Sequence, residues 1–188
     1  MKKVLIPLAD GCEEMEGVII IDTLRRAGWE VVVAGLKEGH VTASRGVKII
    51  PDTTLSEVEF NDFDMIVLPG GAVGTDKLIN NERLLSSIRL FHEKGKILGA
   101  ICAAPLVLQA AGILKGKKIT CHPAVINRLK EGERLDETVV IDGNIITSQG
   151  PGTSFHFALS IIAIIEGGEK ADNLASSMIV QRKNIFIV

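Results

Sequence analysis

The sequence predicts an α/β fold, a mostly parallel sheet with helices on both faces, and three observations lead there. Short apolar runs rich in β-branched residues alternate with longer helical stretches along almost the whole chain. Most of those runs are too continuously apolar for a sheet with one face in water, so they read as strands covered on both sides. The length of 188 residues is enough for one well-filled core and short for two, so a single domain over 1–188 is expected.

The elements follow in order. Residues 4–8 form the first strand, and residues 13–27 a helix stopped by Gly28. A second strand covers 30–34. Residues 41–51 break the alternation with Arg45-Gly46 at their centre and read as a hairpin. The third strand, 65–68, runs into Pro69-Gly70-Gly71, and a helix over 75–94 ends at Gly95. The fourth strand, 97–101, turns directly into a helix over 103–111 stopped by Gly112. A fifth strand at 118–121 leads to a helix over 123–130. Residues 138–148, centred on Asp142-Gly143, form the second hairpin, and 152–180 are two helices parted at Gly167-Gly168. No internal repeat, linker or low-complexity tract is visible.

Composition narrows the partners. A formal charge of −2, no Tyr and 4% aromatics leave neither the basic patch nor the stacking surface that nucleic acid requires. The longest later apolar run, 157–165, is well short of a membrane span, and the apolar run after Met1-Lys2-Lys3 is too short for a signal peptide. A cytoplasmic protein without a membrane partner is expected. Cys12, Cys102 and Cys121 are odd in number and widely spaced, which indicates neither a disulfide framework nor a zinc site.

Chemistry concentrates where the fourth strand turns into its helix. Ala100 and Ala104 flank Cys102 with the small side chains that a sharp strand-to-helix turn needs. Pro105 suits the first helical turn, where a missing N–H costs nothing. A cysteine there sees unpaired N–H groups and the positive end of a helix dipole, so its pKa is expected to fall and Cys102 is the candidate nucleophile. The bland alternative is a small buried core residue. Ligands of open α/β sheets bind beyond the carboxyl ends of the strands. Gly70 and Gly71 lie at that edge, where bare backbone N–H groups would form an oxyanion site, or else simply make a turn. Glu16 lies on the stripe of Ile19, Ile20, Thr23 and Leu24, with Glu13 and Glu14 displaced from it. Burial there would raise its pKa and let it donate a proton to an anion; the alternative is a solvent-facing residue at a helix N-terminus. His122, after the fifth strand, is a candidate general acid or base or a turn residue. Arg45 is a solvated turn charge or an anion clamp. His40, His92 and His156 read as surface or packing residues.

These residues carry a family resemblance along essentially the full length. Glu13-Glu14-Met15-Glu16, Arg25-Arg26-Ala27-Gly28, Val67-Leu68-Pro69-Gly70-Gly71, Ala100-Ile101-Cys102-Ala103-Ala104-Pro105, His122-Pro123 and Thr147-Ser148-Gln149-Gly150-Pro151-Gly152-Thr153-Ser154 occur in order. On these motifs the chain resembles the ThiJ/PfpI superfamily, a class I glutamine amidotransferase-like group, in the branch of the parkinsonism-associated protein deglycase. The resemblance implies a flavodoxin-like three-layer sandwich and a homodimer. It implies Cys102 as nucleophile, Glu16 as its protonated hydrogen-bond partner and His122 nearby, with Gly70, Gly71, Ala103 and Arg45 as the oxyanion or anion-binding set.

The implied activity is that of a cofactor-free glyoxalase or deglycase acting on small reactive carbonyls such as methylglyoxal, or on glycated adducts, with no metal. The alternative it implies is a redox-sensing chaperone of the oxidative stress response, without significant turnover. An intracellular peptidase would place histidine directly after the cysteine, where Ala103 stands. An amidotransferase would want a glutamate two residues after the histidine, where Ala124 stands. The chain departs from the branch at Ala43 and Ile50, where peripheral cysteines are usual, and at Cys12, where a small residue is common. It also stops soon after Val180, so a long extra helix over the site is not expected.

Overall fold

The computed structural model describes residues 1–181; the expectation of no further helix after Val180 concerns residues that lie largely outside these. In chain order the elements are β1 (Lys3–Leu8), α1 (Glu14–Arg26), β2 (Glu30–Gly35), β3 (Val41–Thr42), β4 (Lys48–Ile49), β5 (Thr53–Thr54), β6 (Met65–Leu68), α2 (Ala72–Ile79), α3 (Glu82–Glu93), β7 (Ile97–Ile101) and α4 (Pro105–Ala110). They continue with β8 (Lys118–Ile119), β9 (Glu133–Arg134), β10 (Val139–Asp142), β11 (Ile145–Ser148), α5 (Ser154–Glu166) and α6 (Gly168–Ser177). The main sheet has seven strands in the order β10-β11-β7-β6-β1-β2-β5. All its neighbours are parallel except the β10–β11 hairpin.

Both faces are covered, as the continuous apolar runs require. Along β1 and β6, Leu5, Ile66 and Leu68 point into one core with Leu78, Leu84, Ile88 and Val107 of α2, α3 and α4. Val4, Ile6, Leu8, Met65 and Val67 point into the other, with Ile20, Leu24, Phe157 and Ile161 of α1 and α5. The period-2 alternation of a strand thus feeds two apolar layers, giving a three-layer sandwich with the flavodoxin-like arrangement.

Four expectations need correction. The single helix over 75–94 is two helices, because the Asn81 side chain accepts the Leu84 N–H at 2.9 Å and starts α3 afresh. The fifth strand does not join the main sheet: β8 pairs with β9 in a separate two-stranded ladder. Residues 123–128 form 3-10 turns rather than an α-helix, started by Pro123 and the His122 cap. The first hairpin is also shorter than the 41–51 run, since only two residues on each side pair.

The site follows from strand order. From β1 the chain steps to β2 on one side and then returns to β6 on the other. The helix after β1 covers one face and the helix after β6 the opposite face, which leaves a crevice beyond the carboxyl ends of these two strands. The loops bordering it are residues 9–13 and 69–71, and β7 delivers Cys102 beside them.

Candidate active site

Cys102 has φ of 64°, left-handed backbone that a side chain rarely adopts. The conformation is held at both ends of the residue. Its N–H donates to the Ser148 carbonyl at 3.0 Å, and its carbonyl accepts the His122 N–H at 2.9 Å. Pro105 opens α4 three residues later, with Ala104 as its cap. Such strain, of order 1–3 kcal/mol, persists only when surrounding contacts fix it, and here it turns the thiol out of the sheet toward the crevice.

Glycine makes room for this turn. A Cβ on Gly70 would lie 2.7 Å from Cys102 Cβ and 2.9 Å from the Glu16 carboxylate. A Cβ on Gly71, whose φ is 93°, would lie 2.4 Å from the Gly11 carbonyl oxygen. The Gly70 N–H donates to Glu16 Oε2 at 2.7 Å. It is therefore committed to a carboxylate and not free for an oxyanion, which corrects the expectation for Gly70, while the N–H groups of Gly71 and Ala103, two other members of the expected anion-binding set, face the Cys102 sulfur.

Glu16 is completely buried in α1. Its other oxygen, Oε1, has no nitrogen or oxygen partner among the described residues, and the carboxyl also contacts the Cys102 thiol. Burial pushes the Glu16 carboxyl up to about 7, against the pull of the Gly70 N–H. The thiol is also affected: burial and an ionised Glu16 push Cys102 up to about 12, while Gly71 and Ala103 pull it down. The depressed pKa expected from the turn alone is thus outweighed, because the helix-start N–H groups act on a sulfur with little water around it. The Glu16 contribution reverses when the carboxyl holds a proton, because it then donates to the sulfur instead of repelling it. The two groups are in hydrogen-bond contact, so the charge state of each shifts the titration of the other.

Glu14, displaced from the apolar stripe that carries Glu16, is buried as well. Burial would raise its carboxyl, but its own N–H, the Ser44 hydroxyl and the N–H groups of Arg45 and Val47 hold it below the ordinary range. Ser44 Oγ lies 2.8 Å from Glu14 and 2.9 Å from Glu13, and the Arg45 N–H donates to Glu14 at 2.7 Å. The first hairpin is thereby tied to the start of α1, with further bonds from Gly11 N to Thr42 O and Ser44 N to Cys12 O, both 2.8 Å. Sequence reasoning missed Ser44, Glu13 and Glu14, because the contacts join segments about thirty residues apart and no local pattern encodes them.

A cavity of about 530 Å³ opens over this arrangement, lined by Cys102, Gly71, Ala103, His122, Glu13, Ser44 and Arg45 among others. His122 caps the 3-10 turns through Nδ1, which accepts the Ala124 N–H at 3.1 Å. Its ring proton therefore sits on Nε2, making the imidazole a donor in this tautomer. Arg45 is exposed at the rim, and among the described residues its guanidinium makes one hydrogen bond, a 3.4 Å contact to the adjacent Ser44 carbonyl. All three cysteines are free; Cys12 and Cys121 are buried away from solvent while Cys102 is half-buried. Among the described residues, no group of three or more His, Cys, Asp or Glu is arranged to hold a metal ion. No described helix is long and apolar enough to cross a membrane.

The sequence profile of the DJ-1/PfpI family matches residues 2–164. The chain is 46% identical over 180 residues to Protein DJ-1 homolog B of Arabidopsis thaliana, covering 95% of this chain but only 41% of that longer protein. It is 40% identical over 173 residues to the glutathione-independent glyoxalase DJR-1.2 of Caenorhabditis elegans, covering 91% of each. The crystal structure of DJ-1beta from Drosophila melanogaster superposes with a TM-score of 0.91 at 43% identity, covering 96% of this chain and 98% of that one.

Proposed function

The chain belongs to the DJ-1/PfpI family, and from that premise we propose that it is a cysteine-dependent, cofactor-free glyoxalase or deglycase-type enzyme acting on small reactive carbonyls such as methylglyoxal, or on their adducts. The observation that carries this reading is the strained Cys102, its sulfur facing two backbone N–H groups and a buried carboxyl that takes or gives a proton near neutral pH.

The chemistry balances without an external oxidant. The Cys102 sulfur attacks the aldehyde carbon of methylglyoxal, Glu16 receives the thiol proton, and the former carbonyl oxygen becomes an alkoxide held by the Gly71 and Ala103 N–H groups. Glu16 passes that proton to the alkoxide, giving a hemithioacetal, and is then free to take the proton of the first carbon. It delivers this proton to the second carbon through an enediol, while His122 Nε2–H hydrogen-bonds the ketone oxygen and the hydroxyl proton of the first carbon ends on the second oxygen. The product is a thioester of a 2-hydroxy acid. Water cleaves it, releasing lactate and restoring the thiol, so the net change is addition of one water. The name of the nematode relative supports the substrate class.

A homodimer acting in the cytoplasm belongs to the same reading. Val18, half exposed on α1, and Ile50, 83% exposed after the first hairpin, line one shallow apolar depression suited to a second copy. Light scattering at micromolar concentration is expected to give twice the chain mass.

A screen of small aldehydes and 2-oxoaldehydes, comparing wild type with Cys102→Ser, tests the proposal. Lactate from methylglyoxal is expected with wild type and at least about 10³-fold less with the variant. Wild type that consumes no carbonyl, yet oxidises at Cys102 under dilute peroxide, would favour the redox-sensing chaperone instead.

A further inference from the structure

We infer that Glu13 is a charge filter on the cavity, selecting neutral carbonyl compounds at Cys102 against those that carry a carboxylate; the inference rests on the reactive-cysteine reading of the same site. Glu13 and Cys102 line the same cavity. The Glu13 backbone N–H donates to the Gly70 carbonyl at 3.0 Å, so it is anchored to the turn that supplies the Gly71 donor. Its negative charge is felt inside, since it is one of the influences raising Glu16.

Hydrogen-bond accounting leaves the Glu13 carboxylate under-satisfied. Ser44 Oγ lies within reach of both Glu13 and Glu14 but has one proton to give. Glu14 is buried and held ionised, so the proton serves it best. Glu13 then presents an open acceptor and a negative charge toward the cavity. The opposing charge is Arg45, which is exposed at the rim where water screens it. Net negative potential at the inner wall repels a substrate carboxylate, whereas the oxyanion formed on attack is met at hydrogen-bond range by the Gly71 and Ala103 N–H groups.

Alkylation tests this without requiring turnover. Iodoacetamide and iodoacetate have nearly the same shape and differ in charge; each reacts as the Cys102 sulfur forms a bond to carbon and iodide leaves. The readout is the ratio of their rates at Cys102, mapped by peptide mass and normalised to N-acetylcysteine. Wild type is expected to favour iodoacetamide by about fivefold or more over the free thiol. Glu13→Gln should bring the ratio within about twofold of the free thiol, while Glu13→Asp should keep most of the selection. A ratio unchanged in Glu13→Gln overturns the inference. So does a larger change in Arg45→Gln than in Glu13→Gln. If the ratio behaves as expected but no carbonyl is turned over, the filter stands and the enzymatic reading fails; turnover with an unselective ratio means the reverse.

Discussion

Cys12 and Cys102 both lie just beyond the carboxyl ends of central strands, and burial raises both thiols, to about 11 and about 12 respectively. Their surroundings nevertheless differ in kind. Cys12 is 3% exposed in the apolar core between α1 and the sheet, with carboxylates at Glu13 and Glu14 that only raise it further. Cys102 is half-buried on the wall of a cavity, with two N–H groups that lower its pKa and, within hydrogen-bond reach, the Glu16 carboxyl, which burial raises to about 7. Burial alone makes a cysteine inert. Burial combined with an opening, fixed donors and a titratable neighbour is the arrangement that the proposed reaction at Cys102 needs.

The largest way to break this contrast is to crowd the turn. Gly70→Ala would force a Cβ to 2.7 Å from Cys102 Cβ and 2.9 Å from the Ala103 nitrogen, so either the thiol or its donors must move. Turnover should fall about 100-fold, since a displacement of about an ångström costs that much. Thermal unfolding should report a loss of about 1–3 kcal/mol. Steady-state kinetics beside a melting curve separate the two losses, and unchanged turnover would mean that the N–H groups do not act on the sulfur.

A smaller effect concerns Glu16 alone. Because its folded-state pKa is raised, the native state holds a proton that the unfolded chain has released between pH about 4.5 and about 7. Stability from this group is present below that window and lost as pH rises through it, by about 3 kcal/mol in total. Glu16→Gln cannot ionise, so the wild-type unfolding free energy relative to the variant should decline over that window and be flat above it. Urea titrations at pH 4.5, 6 and 8 check the sign.

The smallest effect is expected at the other cysteine. Cys12→Ala removes a buried sulfur from an apolar cluster, so it should cost about 1–2 kcal/mol in urea unfolding. Turnover should change less than about threefold. A loss comparable to that of Cys102→Ser would erase the contrast.

The contrast was partly legible in the sequence. Small residues around Cys102 announced a tight turn, and the apolar stripe through Ile20 and Leu24 put Glu16 inside, because both signals are local and periodic. Gly70 and Gly71 also stood out, but the sequence could not say that Gly70 spends its N–H on Glu16, a contact 54 residues away. The same limit hid the Ser44 bridge to Glu13 and Glu14. In the fold, continuous apolar runs identified the central strands, whereas the break at Asn81 was masked by apolar periodicity running through both α2 and α3. The placement of β8 outside the main sheet depends on its pairing with β9, which no property of 118–121 reveals.

Glu16→Gln most directly tests whether Cys102 and Glu16 form one unit. Glutamine keeps an acceptor for the Gly70 N–H and a donor for the sulfur but cannot carry a proton, so two properties that usually move together should separate. Iodoacetamide labelling of Cys102, mapped by peptide mass, should stay within about fivefold of wild type. Methylglyoxal turnover should fall by about 100-fold or more. If turnover by Glu16→Gln matches wild type, or labelling and turnover fall by the same factor, the Glu16 proton is not what sets Cys102 apart from Cys12.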